Sequence, residues 1–130
     1  MIYLLADRKP FSNGAYLIFK EAKQNKWKLF TSSNSILTTY YILEKQVAPK
    51  EANRAIETIL NRLEIQDLTK KELNLALKSE TEDLEGSSQI ECANKIGSVD
   101  YIVTRDIKGF TKSLIPVIHP DELIQIMNKR

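Results

Sequence analysis

Scarcity marks this sequence before anything else does. Of its 130 residues one is cysteine, one histidine and one tryptophan, and only four each are glycine and proline. A lone Cys92 excludes an internal disulfide and fits a reducing compartment. It falls in an apolar helical pattern, which predicts a buried, inert thiol. The one histidine, His119, directly precedes Pro120 and reads as part of a helix start, not as a base or a ligand. The few glycines form neither GxGxxG nor GxxxxGK[ST], so a phosphate-cradling loop is missing. No apolar run approaches the ~20 residues that cross a bilayer. Residues 1–6 are too few for a secretory signal and lack its basic start, so the cytoplasm is the expected location. A strong charge of one sign is lacking too: the net charge of +2 is too mild to argue for nucleic acid.

What is present is an ordinary globular composition, 42% hydrophobic and 28% charged, in a length that suits one domain over residues 1–130. Charge is unevenly spread. Residues 1–30 carry six basic and two acidic side chains, and residues 51–91 carry five basic and ten acidic. Such charges mostly solvate surface helices.

The pattern alternates strands and helices. Residues 2–6 form a short, wholly apolar run, as a buried strand does. Ser12 or Asn13 caps a helix to about Lys26, and residues 27–30 make a second strand. Ser32, Ser33 and Asn34 are N-cap candidates for a helix through Ile36, Tyr40 and Leu43. Pro49 suits the first turn of a helix with Ala52, Ile56, Ile59 and Leu63 on one face. A strand over 65–68 and a capping box, Thr69 with Glu72, come next. Residues 82–96 read as a helix with Gly97 just past its end and a weak point at Gly86, Ser87 and Ser88. Strands at 101–103 and 115–118 and a helix from Pro120 close the chain. Alternation of this kind predicts an α/β fold: a short parallel sheet with right-handed crossovers and helices on both faces, three layers in all.

Within that pattern, Asp100 to Phe110 is the most telling stretch. The strand 101–103 ends at Thr104-Arg105-Asp106, and ligands of open α/β sheets bind beyond the carboxyl ends of the strands. Alone, Asp106 reads as a turn residue whose side chain bonds nearby amides. Thr104-Arg105-Asp106-x-x-x-Phe110, however, resembles the last acidic motif of the PIN domain family. Arg8-Lys9-Pro10-Phe11 is similar to the early Arg-x-Pro-Phe of one bacterial branch. Residues 32–45 resemble its second helix, residues 83–89 its Asp-Phe-Glu-Asp-Ala-x-Gln segment, and residues 115–123 its usual close.

That resemblance implies a PIN-like fold and a metal-dependent ribonuclease ancestry, often as the toxin of a toxin–antitoxin pair. It implies Mg²⁺ or Mn²⁺ as cofactor if the site is active, RNA and an antitoxin-like protein as partners, and a homodimer; no membrane association is expected, from the missing apolar run. Carboxylates would gather at the strand ends around hard cations, which prefer oxygen ligands. The family's acids are only partly matched. The first follows the first strand; aligned on Arg8-x-Pro-Phe it falls before Met1, and placed after the strand at 2–6 it falls at Asp7, which strand packing favours. The second belongs at Thr38 or Thr39, the third at Gly86, and a fifth position is Gly109. Glu82 and Asp83 lie one helical turn before Gly86 and so point toward the same region. Asp106 alone keeps its place. The expected catalytic set is Asp7, Asp83 and Asp106, with Glu82 added for the metal. Arg8, Lys9, Thr38, Thr39, Arg105 and Lys108 are expected to meet substrate. One acid in place, two displaced and one replaced by threonine predict a nuclease site that is weak or lost, on a scaffold kept for RNA or protein binding. The alternative expectation is an active metal-dependent ribonuclease.

Overall fold

The computed structural model describes residues 1–6, 22–24, 27–80 and 82–128. Asp7, Arg8, Lys9 and the rest of the Arg-x-Pro-Phe segment lie outside the described residues. So does most of the helix expected up to Lys26, of which residues 22–24 are helical.

Five parallel strands form one sheet in the order β3-β2-β1-β4-β5. They are β1 (Ile2–Leu5), β2 (Lys28–Ser32), β3 (Glu64–Gln66), β4 (Tyr101–Val103) and β5 (Val117–Ile118). Besides helical residues 22–24, the helices among the described residues are α1 (Ser33–Leu43), α2 (Pro49–Arg62), α3 (Lys70–Lys78), α4 (Leu84–Ile96) and α5 (Pro120–Asn128), with a 3₁₀ turn at Ile107–Phe110. The central strand is the apolar run at the start of the chain. Tyr3 lies beside Leu29 of β2 and Tyr101 of β4, and Leu4 beside Phe30 and Ile102. A strand buried on both faces has no polar alternation to show, which is why residues 2–6 read as wholly apolar.

The period of two along each strand divides the core in two. Tyr3, Leu5, Leu29, Val103 and Ile118 face one side and pack against Ile36 of α1, Ile59 of α2 and Leu123 of α5. Leu4, Ala6 and Ile102 face the other and pack against Ile90, Cys92 and Ala93 of α4 and against Phe110. The result is the expected three-layer α/β architecture. Cys92 is fully buried, and that burial pushes its thiol up to about 12, so it stays protonated and unreactive.

Several boundaries move from their expected places. β2 runs to Ser32, not Phe30, because Thr31 and Ser32 pair with Ile65 and Gln66 of β3. β3 is three residues long and begins at Glu64. Helix α4 does not break at Gly86, Ser87 and Ser88; all three are buried and helical, and Gly97 closes the helix at φ 92°. His119 is itself the residue before α5: its Nδ1 accepts the Asp121 N–H at 3.1 Å, and its carbonyl accepts the N–H groups of Glu122 and Leu123.

Helix α3 is tied to α4 by one carboxylate. The backbone N–H and the hydroxyl of Thr69 both donate to Glu72 Oε1 at 2.8 Å, and Lys95 Nζ of α4 lies 3.1 Å from the same atom. The Thr69 backbone N–H first, then its hydroxyl, and then Lys95 hold the Glu72 carboxyl at about 2 against its ordinary 4.5. A carboxyl lowered in the folded state adds stability that is full above pH 4.5 and lost as the pH falls toward 2. Glu72→Gln is therefore expected to be less stable than the parent chain at neutral pH. Denaturant melts followed by circular dichroism should show that gap narrowing as the pH falls through this window. A gap independent of pH would contradict this role.

Candidate active site

Strand order decides where a site belongs. From β1 the chain moves outward through β2 and β3 on one side, and through β4 and β5 on the other. The winding therefore reverses between β1 and β4, and a crevice opens at the carboxyl ends of that pair. Asp106 follows β4 at this reversal. Thr104, fully buried, receives the Asp106 N–H on its hydroxyl at 3.1 Å, and its own N–H donates to the Ile118 carbonyl at 3.0 Å. These bonds fold the chain sharply after β4 and leave Asp106 exposed at the head of the 3₁₀ turn. The Asp106 carboxylate does not cap that turn, as a simple turn aspartate would.

A cleft of about 550 Å³ lies here, lined by Glu80, Glu82, Asp83, Ser87, Asp106, Lys108, Gly109, Thr111 and Lys112. Glu82, Asp83, Asp106 and Lys108 thus line one cleft, which Glu82 and Asp83 do not reach by the expected route. Glu82 and Asp83 do not lie in a helix. Helix α4 begins at Leu84, and Asp83 is its N-cap, with Oδ1 accepting the Gly86 N–H at 2.9 Å. The approach to α4 is set by the end of α3, where Glu80 takes a left-handed φ of 54°. Lys112 Nζ donates to the carbonyls of Ser79 and Glu80 there, stabilising the negative end of α3. Arg105 is exposed on the turn before Asp106.

The two threonines expected to meet substrate part company. Thr39 is 1% exposed, and among the described residues its hydroxyl has no hydrogen-bond partner, so burial removes it from any contact with substrate in this conformation. Thr38 faces a second cleft of about 600 Å³ with Ser33, Asn34, Leu37, Leu68, Leu73, Leu84, Glu85 and Ser88. Neither Tyr40 nor Tyr41 lines the Asp106 cleft; Tyr41 is exposed, with Lys45 Nζ 4.2 Å from its ring centroid.

The fold also holds a buried polar layer that sequence reasoning did not find. Gln89 Nε2 donates to Ser32 Oγ at 2.8 Å and to Ser35 Oγ at 3.0 Å, and Ser32 Oγ also accepts the Ser35 N–H. Among the described residues neither Gln89 Oε1 nor Thr39 Oγ1 has a hydrogen-bond partner. Ser87 was also missed as a cleft residue. Its spacing of four from Asp83 was the available signal, since residues at that interval share a helix face.

Among the described residues no three acidic, histidine or cysteine side chains are grouped to hold a metal ion. At Gly86 a side chain has no room: a Cβ there would overlap the carbonyl oxygen of Gly109 and lie 3.3 Å from Asp83 Cγ.

Comparison with known proteins agrees with this architecture. The family model described as PIN domain matches residues 1–108. Ribonuclease VapC1 of Aquifex aeolicus (strain VF5) is 34% identical over 109 residues, a stretch that spans 80% of this chain and 74% of that protein. A central first strand, an aspartate after β4 at the winding reversal, and these two matches together make the chain a member of the PIN domain family.

Proposed function

We propose that this chain is a PIN-fold protein with a degenerate ribonuclease site, in which metal-dependent cleavage is weak or lost and the scaffold works by binding RNA or a protein partner. The observation that carries this reading is the carboxylate geometry. Of the acids that line the cleft, Glu80, Glu82, Asp83 and Asp106, Asp83 is engaged as a helix cap and Glu82 stands outside the helix. A divalent ion held by a PIN-type site needs converging oxygen ligands, and the Asp83 carboxylate is turned to the Gly86 amide of its own helix. Thr39, at one of the two positions matching the family's second acid, is buried and supplies no anion. Lys108 and Lys112 line the cleft and Arg105 is exposed on the turn just before it, so an RNA backbone there would meet positive charge. Leu37, Leu68, Leu73 and Leu84 give the second cleft an apolar wall suited to a protein partner.

A second reading is an active Mg²⁺- or Mn²⁺-dependent ribonuclease of toxin–antitoxin type, using Asp7, Asp106, and Asp83 or Glu82. It is favoured by the 34% identity to a protein named as a ribonuclease. Asp7 also follows Ala6 directly in sequence, just past the central strand. Titration of the purified chain with Mn²⁺ or Mg²⁺, with single-stranded RNA cleavage followed in parallel, separates the two. The degenerate site is expected to give neither saturable binding at millimolar metal nor cleavage. Saturable binding together with cleavage that Asp106→Asn abolishes would overturn it.

A further inference from the structure

Two turns with the same spacing meet in the Asp106 cleft. Asp83 caps helix α4, and Gly86 follows three residues later; Asp106 heads the 3₁₀ turn, and Gly109 follows three residues later. Each turn is closed on its own aspartate. Gly86 N–H donates to the Asp83 carboxylate at 2.9 Å, and Gly109 N–H to the Asp106 carbonyl at 3.3 Å. The turns then touch backbone to backbone. The missing side chain of Gly86 is the space occupied by the Gly109 carbonyl, whose carbon lies 3.2 Å from where a Cβ would stand. Gly86 is buried, and Phe110, 3% exposed, anchors the 3₁₀ turn in the core beside Ile90 and Ala93 of α4. Neither backbone can withdraw without opening that core.

We infer that Gly86 is a positioning residue: its contact with Gly109 sets the Asp83 turn against the Asp106 turn and closes position 86 to any acid. The inference rests on the degenerate-site reading and deepens it. The site has been remodelled into a backbone contact, so returning a carboxylate to position 86 does not return a metal site. An aspartate there would displace the Gly109 carbonyl and would bring a second negative charge beside the Asp83 carboxyl.

The test compares Gly86→Ala and Gly86→Asp with Leu84→Asp, which adds the same charge at an exposed position two residues earlier. Amide spectra and thermal melts are recorded for each, and Mn²⁺ titrations for the parent chain and Gly86→Asp. Although alanine favours a helix over glycine, Gly86→Ala is expected to lower the melting temperature and to shift the amides of residues 106–110. Leu84→Asp is expected to leave those amides in place. Gly86→Asp is expected to bind Mn²⁺ no more tightly than the parent chain. Unshifted amides at 106–110 in Gly86→Ala, or a tenfold gain in Mn²⁺ affinity in Gly86→Asp, would overturn the inference. Metal binding and RNA cleavage by the parent chain would instead overturn the degenerate-site reading, and the amide shifts would still test the contact.

Discussion

Phe110→Ala is expected to cost about 3–5 kcal/mol of folding stability, the range for emptying a buried aromatic position. Phe110 is 3% exposed and packs with Leu4, Ile90, Ala93 and Ile102 on one face of the sheet. A domain of this size is held by roughly 5–15 kcal/mol in all, so the variant should sit near the limit of folding. It should also have a local signature. Phe110 ends the 3₁₀ turn that Asp106 begins, and its loss frees that turn from α4. Chemical denaturation measures the first effect. Hydrogen exchange measures the second, with amides of residues 104–113 expected to lose protection beyond the global change. A loss under about 1 kcal/mol, well below the range for buried aromatics, would mean that Phe110 does not anchor the turn.

Tyr3→Ala is expected to match that loss on the opposite face, again about 3–5 kcal/mol, without the local signature. Tyr3 is fully buried in the central strand, edge-on to Trp27 at 5.6 Å between ring centroids and stacked on Tyr101 at 6.0 Å. It therefore joins β1, β4 and the chain entering β2. Ring pairs of this kind add about 0.5–1.5 kcal/mol beyond area burial. Tyr3→Phe keeps the rings and should lose about 1 kcal/mol or less, the worth of one ordinary hydrogen bond; the hydroxyl it removes donates to Met1 Sδ at 3.4 Å. Protection should fall across the whole sheet in Tyr3→Ala, with the Asp106 turn no worse than the rest. Equal losses for the alanine and phenylalanine variants would show that the hydroxyl, not the stacking, matters.

The two losses together separate scaffold from site. The Tyr3 face carries α1, α2 and α5 and holds the fold; the Phe110 face carries α4 and the turn that presents Asp106. A binding function that survives Tyr3→Phe and is lost on loosening the Phe110 turn would therefore map to the Asp106 side.

Much of this was legible in the residues because it depends on neighbours in the chain. The apolar run at 2–5, Pro49 at the start of α2, the Thr69–Glu72 capping box and Gly97 at the end of α4 are local signals, and each element formed where they stood. Strand alternation with helices was enough for a parallel α/β sheet, since parallel neighbours require crossovers. The identity of Asp106 as the aspartate after β4 followed from the same local reading.

Long-range contact decided the rest. That Thr39 is buried while Thr38 lines a cleft depends on how α1 rolls against its neighbours, which a one-residue choice in the sequence does not specify. That Glu82 and Asp83 reach the Asp106 cleft from a loop, not from a helix, depends on where α4 could begin once Asp83 had taken the Gly86 amide. The pairing of Gln89 with Ser32 and Ser35 spans 57 and 54 residues, and no local pattern announces it. Gly86 is the sharpest case. In sequence it is a weak point that should break a helix; in the fold the helix runs through it, because the Gly109 carbonyl needs the space that a side chain would fill. The residues by themselves determined the order of elements and the place of Asp106 after β4. Tertiary packing decided what surrounds that aspartate, because close approach of two backbones is a property of the folded chain and not of either segment.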